Sequence, residues 1–103
     1  MADIRINQEL DKSKIEVTEG DIIELALDEN PSTGFTWELA EEQNPYLQFL
    51  SADFELSGND ALGAPGKRIF RFRVLKKADG CIELENRQKW SNEIYKSFKL
   101  FYY

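Results

Sequence analysis

Residues 21–39 read DIIELALDENPSTGFTWEL, two alternating runs broken by a stretch built to turn. In the first run Ile23, Leu25 and Leu27 share one face, with Glu24 and Asp28 on the other. Phe35, Trp37 and Leu39 resume the period of two, and Thr36 and Glu38 stand between them. That period belongs to an extended chain with one face in a core, so both runs read as half-buried strands. Between them Pro31 narrows φ, Asn30 can hydrogen-bond nearby backbone, and Gly34 permits a sharp exit into the second strand.

The pattern recurs on either side. Ile4 and Ile6 alternate ahead of the polar residues 7–14, and Ile15 and Val17 alternate ahead of a Glu19-Gly20-Asp21 turn. Residues 39–44 can form a helical turn that Pro45 stops. Residues 46–50 and 53–56 are strand pieces separated by a bulge near Ser51-Ala52. Residues 57–67 form the longest loop, where Pro65-Gly66 suits the centre of a type II turn with positive φ at the glycine. In residues 69–76, Phe70, Phe72 and Val74 face the core, and Arg71 and Arg73 face solvent. Asp79-Gly80 is a two-residue hairpin signal ahead of Ile82 and Leu84. Residues 86–93 form a polar loop around Trp90, and residues 94–103 close the chain with Phe98, Leu100 and Tyr102 inward. Seven or eight short strands without an amphipathic helix predict an all-β chain, most simply two packed antiparallel sheets. An open or closed barrel is the alternative.

At 103 residues the chain suits a single domain, 1–103, with one core. An apolar fraction of 42%, with seven Phe, four Tyr and two Trp, argues for a folded globule. The net charge of −6 weighs against nucleic acid and against an anionic membrane surface. Histidine is absent, which removes histidine-dependent triads and zinc sites, and the single Cys81 excludes an internal disulfide. Neither Cys81 nor Ser32 has a recognisable activating partner, so the expectation is no enzyme, no cofactor and no metal. No apolar run resembles a leader, and the chain is expected to be a cytoplasmic monomer.

Three segments resemble the chagasin family of papain-like cysteine peptidase inhibitors. They are Asn30-Pro31-Ser32-Thr33-Gly34-Phe35-Thr36-Trp37, then Gly63-Ala64-Pro65-Gly66, then Arg87-Gln88-Lys89-Trp90. The resemblance runs from about Gly20 to the C-terminus. It implies an immunoglobulin-like antiparallel β-sandwich whose three loops lie together at one end and reversibly occlude a peptidase cleft. The first loop would meet the catalytic centre through Ser32 and Thr33, framed by Asn30, Pro31, Gly34 and Phe35. Residues Gly63, Ala64, Pro65 and Gly66 would lie along the cleft, with Arg87 and Trp90 on its other side. Ser32 stands where threonine is commoner in the family. Gln88-Lys89 stands where a proline usually separates arginine from tryptophan.

Read without that resemblance, each loop could be an ordinary strand connection, and Trp90 could cap the core. The alternation of Trp37 with Phe35 and Leu39 assigns it to the core instead. The pairs Asp28/Glu29 and Glu41/Glu42 read as solvated surface. Acids interspersed with Arg68, Arg71 and Arg73 make a nucleic-acid patch a poor reading. Two other functions fit the same core: a noncatalytic immunoglobulin-like module for an unrelated protein, and a carbohydrate-binding sandwich using Trp90 and tyrosines.

Overall fold

The computed structural model describes residues 3–30, 34–40, 45–56, 66–88, 90–91 and 93–103. They form eight strands: β1 (Asp3–Asn7), β2 (Lys14–Ile15), β3 (Ile22–Glu29), β4 (Phe35–Leu39), β5 (Leu47–Leu56), β6 (Gly66–Val74), β7 (Gly80–Gln88) and β8 (Ile94–Tyr102). One sheet runs β1-β3-β6-β5 and the other β2-β8-β7-β4. A 3-10 turn, Gln8–Leu10, lies between β1 and β2.

The two inner faces are the ones that the alternation marks. Ile23, Leu25, Leu27, Phe70, Phe72 and Val74 from the first sheet meet Trp37, Ile82, Leu84, Phe98, Leu100 and Tyr102 from the second. All are buried, and no residue among them is more than 6% exposed. A layer this apolar on both sides is the main drive to fold, since each large side chain buried contributes about 1.5–3 kcal/mol. The all-β sandwich expected from the sequence is therefore the observed architecture.

Its sheets are mixed rather than wholly antiparallel. β1 runs parallel to β3, and β2 runs parallel to β8. Hairpins make antiparallel neighbours, but the segment before β3 changes sheets between β1 and β2, so each of its strands joins an edge in the parallel sense.

Three turn expectations also change. Asp79-Gly80 is not a hairpin tip: β6 ends in one sheet, β7 begins in the other, and residues 75–79 cross between them. Gly80 is instead required by a close approach, because a Cβ there would sit 2.6 Å from the Tyr102 ring carbon Cζ. Gly66 is the first residue of β6 and lacks positive φ, which among the described glycines belongs to Gly20 and Gly34. A Cβ on Gly66 would run within 2.6 Å of Phe54 Cζ, so packing rather than turn geometry explains it. The strand pieces at 46–56 are one strand, β5, with its register shift between Phe49 and Ser51. β7 extends through Gln88, so Arg87 and Gln88 are strand residues. The proposed helical turn at 39–44 falls largely on residues 41–44, outside the described set.

Candidate functional site

Strand direction brings three connections to one end of the sandwich. Loop 1 leaves β3 at Glu29 and enters β4 at Phe35, passing from one sheet to the other. Loop 2 joins β5 to β6 within the first sheet, and loop 3 joins β7 to β8 within the second. Glu29 pairs with Gly66, the exit of loop 2, and Phe35 pairs with Gln88, the entry to loop 3. Loop 1 is thus rooted between a hairpin of each sheet. Pro31, Ser32, Thr33, Gly63, Ala64, Pro65 and Lys89 lie outside the described residues; Asn30, Gly34, Phe35, Gly66, Arg87 and Trp90 are within them.

Loops 1 and 3 touch through a glycine and an indole. Gly34 has φ of +80°, a conformation that L side chains rarely adopt, and Trp90 lies directly over it. A Cβ on Gly34 would come within 2.9 Å of Trp90 Cζ2 and Cζ3. The indole is nonetheless 72% exposed, so it rests on backbone and presents its outer face to solvent. At the residue after Gly34, the Phe35 ring meets that of Tyr95 at 5.6 Å between centroids. Loop 3 is closed locally by Gln88, whose carbonyl accepts from the Ser91 N–H and whose Oε1 accepts from the Ser91 hydroxyl. A side-chain turn therefore stands where the family usually has proline. Arg87 pairs with Thr36 across the sheet, and its Nη1 lies 3.5 Å from Glu85 Oε1 on its own strand. Its guanidinium is thereby drawn back along β7.

Loops 1 and 2 are joined at their roots by charge. Lys67 Nζ donates to Asp28 Oδ1 at 2.8 Å, while Gln8 donates to Asp28 Oδ2 at 2.7 Å and accepts from the Asp28 N–H. The Lys67 hydrogen bond, helped by its charge, holds the Asp28 carboxyl below the usual carboxylate range against a smaller opposing effect of burial.

Glu29 differs from its neighbour and from the sequence expectation of a solvated acid. Its side chain is 1% exposed, and Arg68 Nη2 donates to its Oε2 at 2.7 Å. Glu29 Oε1 accepts the backbone N–H of Trp37 at 2.8 Å, and the Trp37 indole donates to the Asp28 carbonyl at 2.8 Å. The signal for this was available: Glu29 continues the inward parity of Ile23, Leu25 and Leu27. Only the partner was hidden, because Arg68 stands 39 residues further on.

Comparison with known proteins gives a consistent picture. The family model for chagasin family peptidase inhibitor I42 matches residues 16–101. A crystal structure of a cysteine protease inhibitor from Entamoeba histolytica is similar at TM-score 0.87 and 22% identity, over 99% of this chain and 95% of that one. The solution structure of Amebosin is similar at 0.77 and 20% identity, over 96% and 94%. The structure of PbICP-C in complex with falcipain-2 is similar at 0.55 and 17% identity, over 98% and 86%. At these identities the structural likenesses establish the fold. No curated protein matches the sequence. The cytoplasmic assignment does not stand: these matches carry no compartment, and a leader is removed from a mature chain, so finding none decides nothing.

Proposed function

This chain belongs to the chagasin family of peptidase inhibitors, a noncatalytic inhibitor of papain-like cysteine peptidases, and we propose that it works by occluding the cleft with loops 1, 2 and 3. The observation that carries the mechanism is the placement of loop 1, a crossing between sheets rooted between one hairpin of each. Such an arrangement gives a wedge with a central ridge and two flanks. Loop 1 meets the catalytic centre through the segment of sequence that carries Ser32 and Thr33. Gly63, Ala64, Pro65 and Gly66 follow the cleft on one side, and Trp90 anchors the other.

Inhibition is reversible and needs no bond to break, because a ridge held at both roots can cover a nucleophile without offering a carbonyl along its attack path. Three loops together bury an interface on the order of 1,600 Å². Affinity is concentrated in a few desolvated anchors and in preorganisation rather than spread over the area. Trp90 has the properties of such an anchor: a large exposed ring, held from behind by Gly34. One monomer engages one peptidase.

The test titrates a papain-like peptidase with the purified chain while following hydrolysis of a small peptide substrate. Stoichiometric, competitive and reversible loss of activity is expected, with an intact inhibitor by mass spectrometry after prolonged exposure. Cleavage in residues 30–34 that accompanies inhibition would make the chain a slow substrate instead. Binding without competition would point to a module that recognises another surface.

A further inference from the structure

We infer that Glu29 is a positioning residue, whose buried carboxylate fixes loop 1 against loop 2; the inference rests on the function proposed above. Its place in the fold is costly. It lies on the inner face of β3 in series with Ile23, Leu25 and Leu27, where an apolar side chain would satisfy the core without desolvating a charge.

The carboxylate is used on two sides. β4 is the outer strand of its sheet, and the Trp37 N–H donates to Glu29 Oε1. That bond joins the two roots of loop 1 across the gap between sheets. On the other side Arg68, two residues past the exit of loop 2, reaches both oxygens, Nη2 to Oε2 at 2.7 Å and Nε to Oε1 at 3.3 Å. The same guanidinium lies 5.3 Å from the centroid of Phe54, a residue of the strand entering loop 2. One carboxylate therefore links β3 and β4 directly, and through Arg68 reaches both strands that carry loop 2.

A rigid cleft selects for the spacing between loops as much as for their tips. A planar, two-point guanidinium–carboxylate contact fixes direction as well as distance, which a single-point contact does not. Binding then loses less entropy on entry, and the loop 1 backbone is denied the excursions that would let it lie down as a substrate.

The experiment compares Glu29→Gln, Arg68→Gln and the double variant, each assayed by competitive titration under conditions where chemical denaturation shows it folded. Val74→Ala, at the far end of β6, is the control for lost stability alone. A chain carrying Glu29→Leu with Arg68→Met leaves no unpaired buried charge and makes the comparison where the single variants do not fold. Each folded variant at Glu29 or Arg68 is expected to inhibit about tenfold or more weakly. The double variant should be no worse than the weaker single one, and the peptidase should cut the variants within residues 30–34. Val74→Ala should inhibit as the parent does. Folded variants with the parent's inhibition constant and an uncut loop 1 would overturn the assignment while leaving the proposed function intact. If the parent chain itself fails to compete with substrate, the proposed function falls and this inference falls with it.

Discussion

The two ends of the sandwich differ in the balance of backbone and side-chain contacts that close them. At the end away from the loops, backbone meets backbone: the Gly20 N–H donates to the Val74 carbonyl, Val74 to Asp21, and Leu75 to Tyr46, each at 2.8 Å. Asp21 adds a side-chain cap by accepting the Thr18 N–H at 2.9 Å. At the loop end the roots are tied by side chains, through Asp28 with Lys67, Glu29 with Arg68, and Trp90 on Gly34. A connection closed by its own peptide groups has little left to offer a partner. Roots tied by side chains set the spacing between the strands that carry the loops.

That contrast breaks most sharply at Trp37, which belongs to both the core and the loop 1 root. Trp37→Ala should cost about 3–5 kcal/mol of stability in chemical denaturation, because it empties a large buried volume and frees the Asp28 carbonyl. A smaller loss, under about 1 kcal/mol, would mean that the loop end is not continuous with the core. Next comes Trp90→Ala, expected to weaken peptidase binding by about 2 kcal/mol or more while leaving stability nearly unchanged. Gly34→Val should resemble it in titration and add a backbone penalty of about 1–2 kcal/mol from the left-handed φ. Unchanged affinity in a folded Gly34→Val chain would uncouple the loop 1 backbone from Trp90.

The far end should answer in stability alone. Asp21→Ala leaves the Thr18 N–H without that acceptor and is expected to cost about 1–3 kcal/mol, with inhibition by the folded chain unchanged. An altered inhibition constant would show that the two ends communicate. The smallest effect concerns acid. The Asp28 carboxyl titrates lower in the folded chain than in the unfolded one, so its stabilisation is present above the usual aspartate range and is lost as pH falls through the lower folded value. Denaturation of parent and Lys67→Met chains should differ at neutral pH and converge toward strong acid. Parallel curves throughout would remove the Asp28–Lys67 pair from the account.

The alternation in residues 21–39 made the inner faces legible, and the loop segments made the family legible. What stayed hidden depended on distant partners. Asp79-Gly80 carries local turn chemistry, yet its glycine answers to Tyr102, a contact that no dipeptide rule contains. The short alternations at Ile4/Ile6 and Ile15/Val17 marked extended chain without stating direction, so both parallel pairings were invisible. Glu29 was misread because its charge was weighed more heavily than its parity. Trp90 was correctly separated from Trp37 by its polar surroundings, but the glycine on which it rests lies 56 residues earlier in the chain.

The parallel run of residues 12–17 beside residues 99–103 has a mechanical consequence. Four backbone hydrogen bonds connect them: Lys12 N–H to the Lys99 carbonyl, Phe101 to Ser13, Tyr103 to Ile15, and Val17 to Tyr103. Because the two segments run the same way, tension applied between residue 12 and residue 103 loads these bonds in shear, together, whereas an antiparallel pair pulled from its open end would unzip one bond at a time. The seam lies along the later half of β8, and β8 begins at the loop end and runs away from it. Force carried through the seam is therefore borne at the end of the sandwich away from the loops.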